Sequence, residues 1–293
     1  MARRRPATTH GLAVVDKPAG VTSHDVVDEL RRRFHERQVG HAGTLDPDAT
    51  GVLLVGVGMV TRLLRFLGAT EKQYTGQVVF GVETDTLDAA GVPTVRYDMD
   101  PPAIDDVRRI VAEHLTGPIE QVPPMVSAIR VDGTRLHELA RRGVEVERAA
   151  RPVVVRSFTV EPSDDPMVVC VDVTCSAGTY IRSLAADLGR LLGGGAHLRN
   201  LRRIAVGPFT LADAAPPDVA ELLPPLQAVR ALDRVDVDGA TAALVANGRV
   251  LPAWTGAGPW AVVGPSGELI AVYERFRSGG AKPAVVLPTA TAR

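Results

Sequence analysis

The sequence predicts an α+β (mixed α/β) fold with a small, mostly-β module at its C-terminal end. Three observations carry this expectation. Short apolar runs of strand length alternate with stretches of helical periodicity such as Tyr180–Leu192. The run Val52-Leu53-Leu54-Val55 is apolar on both faces, which suits a central strand covered on both sides. After about residue 230, short strands joined by Gly/Pro turns replace the longer periodic segments.

Taken in order, Gly11–Asp16 reads as a buried strand ending in the turn Lys17-Pro18-Ala19-Gly20. Ser23 then serves as N-cap for a helix through about Phe34. Residues 38–51 are punctuated by glycine and proline and read as a loop feeding the 52–55 strand. Met59–Leu67 is helical, Gln73–Phe80 alternates as a strand, and Ile104–Leu115 is a helix. A strand near Ser127–Val131 and a short basic helix near Thr134–Arg142 follow. Arg151–Val160 and Met167–Cys175 pair as strands across Glu161–Pro166. Tyr180–Leu192 is a helix capped by Thr179, and His197–Arg203 is extended. In the last segment Ala240–Ala246 is helical, and Trp260–Val263, Leu269–Tyr273 and Ala284–Leu287 are strands. The expected domains are 1–229 and 230–293.

A chain of 293 residues, 45% hydrophobic and 23% charged, can bury a proper core. Its longest apolar run, Gly51 to Val60, falls well short of the ~20 residues a spanning helix needs. The N-terminal arginines lack a signal-peptide apolar stretch behind them, so a cytoplasmic location is expected. The two cysteines, Cys170 and Cys175, lie in one strand on opposite faces and cannot form a disulfide framework. Gly56-Val57-Gly58 lacks the third glycine of a dinucleotide loop, and no histidine spacing suggests a metal. Neither cofactor nor metal is expected. Net charge is only −1, but it is segregated: residues 1–40, 121–156 and 178–206 are net basic, and 83–120 net acidic. A basic face suited to nucleic acid can therefore exist under a neutral average.

Three segments carry the chemistry. The first is Gly40-His41-Ala42-Gly43-Thr44-Leu45-Asp46-Pro47-Asp48-Ala49-Thr50-Gly51. Pro47 biases Asp46 toward extended geometry, and glycines 43 and 51 allow sharp bends on either side. Asp46 should thus stand at the mouth of a sheet; a turn aspartate bonding its own backbone is the plain alternative. The second is Gly178-Thr179-Tyr180-Ile181-Arg182. Arg182 borders the apolar face of its helix beside Ala186 and Gly189, whose small size allows close packing and leaves the guanidinium partly buried. A cation in a first turn meets the wrong end of the helix dipole and wants a carboxylate. Asp46 and Asp187 are the candidates. The third is Lys72-Gln73-Tyr74, where an aromatic beside a cation suits base stacking, although a tyrosine at a strand start is more often a half-buried sheet residue than a reactive one.

Together these segments resemble the TruB family of tRNA pseudouridine synthases, with motifs in the family's order from Gly11 to about Arg203. Lys17-Pro18 resembles the first motif, and Gly43–Pro47 with Ala49-Thr50-Gly51 the catalytic loop. Lys72-Gln73-Tyr74 resembles the tyrosine motif and Gly178–Arg182 the arginine motif. Gln121-Val122-Pro123-Pro124-Met125-Val126-Ser127-Ala128 with Gly143-Val144-Glu145-Val146 is similar to the RNA-gripping insertion, here about 121–150. The segment after 230 is similar to a PUA-like RNA-binding module.

The resemblance implies a pseudouridine-synthase-like mixed sheet with flanking helices. It also implies isomerisation of uridine at position 55 in the tRNA T arm, by base flipping and without a cofactor. Asp46 would be the essential carboxylate, attacking the uracil ring or the sugar C1′, or removing a C2′ proton. Arg182 would pair with it and hold it ionised. Tyr74 would stack on the expelled uracil and help remove the C5 proton. His41 would fill the space the flipped nucleotide leaves, and Tyr180 would line the pocket. Lys17 is expected among the substrate-binding residues. A monomer working on tRNA, with no membrane partner, is the expected form. Three rival readings stand beside it: a non-catalytic RNA-binding or RNA-folding protein, a synthase acting on another RNA, and a glycosidase-like hydrolase using Asp46 with Asp48.

Overall fold

Strand Thr50–Val57 sets the architecture, because its side chains feed two different cores. Leu53 and Val55 join one cluster and Val52 and Leu54 the other, all four completely buried. A period-two strand sends successive side chains to opposite faces, so this one must be covered on both. In this computed structural model the described residues are 7–288, apart from 128, 129, 132, 137, 138, 140, 141 and 278.

The strands in chain order are β1 (Gly11–Lys17), β2 (Val39–Ala42), β3 (Thr50–Val57), β4 (Lys72–Phe80), β5 (Val82–Thr84) and β6 (Pro93–Arg96). They continue with β7 (Gly117–Gln121), β8 (Arg130–Val131), β9 (Thr134–Arg135), β10 (Arg151–Pro162), β11 (Val168–Cys175), β12 (Ala196–Val206), β13 (Phe209–Thr210) and β14 (Leu222–Leu223). The last five are β15 (Asp233–Asp236), β16 (Leu251–Pro252), β17 (Trp260–Val263), β18 (Leu269–Phe276) and β19 (Gly280–Val286). The principal sheet runs β14-β1-β3-β12-β4-β11-β10-β7, with β2 on β3 and β13 on β12. Its contacts are antiparallel except between β3 and β12, where Arg203 pairs with Gly51 in parallel. One face carries α1 (Ser23–Arg33), α3 (Ile104–His114) and α4 (Ile181–Leu191). The other carries the 3-10 turn Gly58–Leu63, α2 (Leu64–Gly68) and the second sheet, β15-β17-β18-β19-β16.

The two sheets are not separate bodies. Ala261, Leu269, Val272 and Val285 share a cluster with Leu63, Leu67, Val206 and Phe209. Arg65 on α2 pairs with Glu274 at 2.6 Å, and Arg62 donates to the Val286 carbonyl at 2.5 Å. Among the described residues no helix is long and apolar enough to cross a membrane.

Several expectations need correcting. The 38–51 segment is not all loop, since Val39–Ala42 forms β2, antiparallel to β3. Thr22, not Ser23, caps α1: its hydroxyl accepts from the Asp25 N–H at 3.1 Å while Asp25 answers the Thr22 N–H. Likewise Thr179 does not cap α4; the N-cap is Tyr180, without a side-chain cap, and the Thr179 hydroxyl donates to the Ser176 carbonyl. The strand near Ser127–Val131 is reduced to Arg130–Val131, with Ala128 outside the described residues. Thr134–Arg135 is a strand, and much of the basic helix expected near 134–142 also lies outside them. Helix α4 packs on β12 as its small residues suggested: a Cβ on Gly189 would stand 2.4 Å from the Ala196 nitrogen.

Candidate active site

The loop between β2 and β3 is pinned on both sides of Asp46, whose own carbonyl accepts the Ala49 N–H at 3.2 Å. Arg203, 1% exposed on β12, donates from Nη2 to the Gly43 carbonyl at 3.1 Å and from Nη1 to that of Thr44 at 3.4 Å. Its Nε reaches the Val52 carbonyl at 2.7 Å. Ser23 exchanges two bonds with Leu45: its hydroxyl donates to the Leu45 carbonyl and accepts the Leu45 N–H. The Pro47 carbonyl accepts from the Gly20 N–H at 3.0 Å and from Lys17 Nζ at 2.8 Å. Buried Leu45 and Ala49 anchor the loop from below.

Asp46 is thereby presented to Arg182. Nε of Arg182 lies 3.0 Å from Asp46 Oδ2, and Nη2 lies 3.3 Å from Oδ1. The guanidinium therefore holds the carboxylate by one hydrogen bond, from Nη2, and a close ion-pair contact at Nε. Two further bonds fix the guanidinium, from Nη1 to the Thr86 carbonyl at 2.7 Å and from Nη2 to that of Val126 at 2.8 Å. Asp88 stands 3.6 Å from Nε as a second carboxylate. Asp187, the other sequence candidate, pairs with Arg190 instead.

Burial pushes Asp46 above the ordinary carboxylate value and Asp88 adds to that push, while Arg182 opposes both. Arg182 and Asp46 pair as the resemblance implies, but the arginine offsets only part of the cost of burial, and the carboxyl stays above its ordinary value.

A cavity of about 240 Å³ opens beside this pair, lined by Asp46, Arg182, Tyr74, Tyr180, Lys72 and Leu201 among others. Tyr74 is 7% exposed, and burial raises its phenol, opposed in part by the nearby Arg203 charge. Lys72 gives its ammonium to the Gly68 and Thr70 carbonyls, and burial brings it down to about 8.

Residues 31–181 match the TruB family pseudouridylate synthase N-terminal domain. Residues 182–235 match the tRNA pseudouridylate synthase B C-terminal domain, and 232–288 that of tRNA pseudouridine synthase II. The "tRNA pseudouridine synthase B" of Thermobifida fusca is 47% identical over 94% of this chain and 98% of its own. The chain belongs to the TruB family. The protein of that name from Symbiobacterium thermophilum is 48% identical over 81% of each chain. Among solved structures, a chain of the Cbf5-Nop10-Gar1 complex superposes with a TM-score of 0.70 at 25% identity, covering 92% of this chain and 79% of that one.

The structure brings together most, but not all, of the expected residues. Asp46, Arg182, Tyr74 and Tyr180 meet at one cavity. Lys17 does not belong with them as a substrate contact. It is 0% exposed, and Nζ donates to the carbonyls of Pro18, Val21 and Pro47, so its charge serves to tie the loop. His41 is half-buried on β2 and absent from the cavity lining; burial and Arg203 push its imidazole below the ordinary value. Four residues escaped sequence reasoning: Arg203, Ser23, Asp88 and Gln121. For Arg203 the one available signal was its adjacency to a basic run; Ser23 was read only as a helix cap and Gln121 only as part of the insertion motif, and Asp88 carried no signal.

Proposed function

We propose that this protein isomerises uridine to pseudouridine at position 55 in the T arm of tRNA. One observation carries the reading: an ionisable carboxylate, Asp46, held on an immobilised loop by a buried arginine at the mouth of a cavity with two tyrosines. The family and the names of its relatives support it.

The reaction breaks the C–N glycosidic bond, turns the base and joins C5 to C1′, with no net electron transfer. The target must leave its stack, which costs a few kcal/mol and least in a loop. Asp46 then acts on the uracil ring, on C1′ or on the C2′ proton; all three need its carboxylate ionised and in place. Arg182 keeps it so, and the pinned loop spares the reorganisation that a mobile carboxylate would need. Tyr74 offers a stacking face to the expelled base. With its phenol raised by burial it is protonated at neutral pH, so it can receive the C5 proton only by giving up its own. His41 fills the space that the flipped nucleotide leaves, and Tyr180 lines the pocket. The domain boundary near 230, the gripping insertion at 121–150, a cytoplasmic location and a monomeric state belong to the same reading.

The test is direct. Purified protein incubated with an unmodified tRNA transcript should convert one T-arm uridine without a change in mass. Free uracil would indicate a hydrolase, bound but unchanged RNA a non-catalytic binder, and conversion elsewhere another substrate.

A further inference from the structure

Helix α4, which carries Arg182, starts without a side-chain cap. The backbone of its N-cap residue, Tyr180, is held from across the fold instead. The Tyr180 N–H donates to Gln121 Oε1 at 2.7 Å, and Gln121 Nε2 donates to the Tyr180 carbonyl at 3.0 Å. One side-chain amide thus pairs with both polar backbone groups of one residue, as a neighbouring strand would. Gln121 is 2% exposed and ends β7, where the chain leaves the sheet for the insertion. Two further bonds join the same segments. Ser183 Oγ donates to the Val122 carbonyl at 3.2 Å, and Arg182 Nη2 to the Val126 carbonyl at 2.8 Å.

We infer that Gln121 is a positioning residue for the isomerisation: it locks the first turn of α4 so that the Arg182 guanidinium meets Asp46. By the same bonds it makes the root of the insertion and the Asp46–Arg182 pair one unit. The chemistry favours an amide here. A carboxylate would put negative charge against the Tyr180 carbonyl, and an apolar side chain would leave the Tyr180 N–H without its partner and the carbonyl with the Leu184 N–H alone. Arg182 lies two residues beyond Tyr180, so a small shift of the cap moves the guanidinium away from contacts set at 3.0 and 3.3 Å. Such displacements cost rate more than binding.

The inference rests on the proposed isomerase reading, and the experiment separates the two. Wild type, Gln121→Met and Gln121→Glu are compared as full chains on an unmodified tRNA transcript. Single-turnover rate constants and tRNA Kd are measured across pH. Gln121→Met should lose at least about tenfold in rate constant with Kd within about threefold. Gln121→Glu has a donor and an acceptor only when protonated, so its rate relative to wild type should rise as pH falls. That ratio cancels the titration of Asp46 and stands alone if the methionine variant fails to fold. Wild-type protein that forms no pseudouridine overturns both readings. With active wild type, an unchanged Gln121→Met rate overturns this inference alone. So does a loss wholly in Kd, or a glutamate ratio constant with pH.

Discussion

Lys17 donates to the Pro47 carbonyl at 2.8 Å, so the lysine of the first motif holds the residue next to Asp46. It does so fully buried, with Pro18 and Val21 taking its other protons. The first motif and the catalytic loop are therefore one structure, and the ammonium is its fastener.

Lys17→Met should loosen this loop and cost about 1–3 kcal/mol through carbonyls left unpaired. The pH dependence has a definite sign. Burial lowers Lys17 from 10.5 to about 8, so the unfolded chain binds this proton more tightly than the folded one. The penalty for burying the charge is full below about pH 8 and vanishes as pH rises to 10.5. The unfolding free energy of wild type, measured against that of Lys17→Met in urea, should therefore climb across that window. A flat difference would contradict the buried ammonium.

Removing the cation beside Asp46 should move the acid limb of the rate profile. In wild type the single-turnover rate should fall with falling pH through a carboxyl raised above the ordinary value. Arg182→Met leaves burial and Asp88 opposed by Lys17 alone, so the limb should shift up by about one pH unit or more. Arg182→Lys keeps the charge but not the planar guanidinium, and should be crippled with a smaller shift. Identical limbs in all three proteins would mean that Asp46 is not the titrating group.

Two glycines with positive φ should respond differently to alanine. Gly51 sits at φ +102°, and a Cβ there would lie 2.1 Å from the Arg203 carbonyl oxygen, backbone against backbone. Gly51→Ala should cost at least about 3 kcal/mol, because strain and clash add and β3 is pushed off β12. Gly178, at φ +89°, has nothing within 4 Å of the same position, so Gly178→Ala should cost only ~1–2 kcal/mol. Equal costs in chemical denaturation would contradict the close β3–β12 approach at Arg203.

Tyr74→Phe separates stacking from proton transfer. The ring remains, worth ~1–3 kcal/mol per stacked base, while the hydroxyl is lost. If the phenol relays the C5 proton, the single-turnover rate should drop by about 10²–10⁴ with tRNA binding unchanged. Tyr74→Leu should lose the platform as well. Full rate in the phenylalanine variant would leave stacking alone.

Legibility in the sequence followed the range of the interactions. Asp46 before Pro47 and Arg182 in a first turn are local patterns, and so is the doubly apolar 52–55 run; each reads directly from neighbours along the chain. The fasteners of the site are long-range and join side chains to backbone. Arg203 reaches Thr44 across 159 positions and Gln121 reaches Tyr180 across 59, and no local pattern marks either. Lys17 was misplaced for the same reason: a lysine in a Pro/Gly turn looks solvated until the loop folding over it supplies three carbonyls. Strand β2 was hidden because Gly40 and Gly43 punctuate it like a loop, while its pairing partner β3 lies beyond the next turn.

The central claim is that Asp46 performs the chemistry and does not merely fold the loop. The direct measurement compares Asp46→Asn with wild type for pseudouridine formed at single turnover, for tRNA Kd and for thermal unfolding. Asparagine keeps the shape and can still accept from Arg182. Product formation should be abolished, with Kd within about threefold, a change under ~1 kcal/mol, and folding intact. Measurable isomerisation by Asp46→Asn, or parallel loss of binding and folding, would contradict the account.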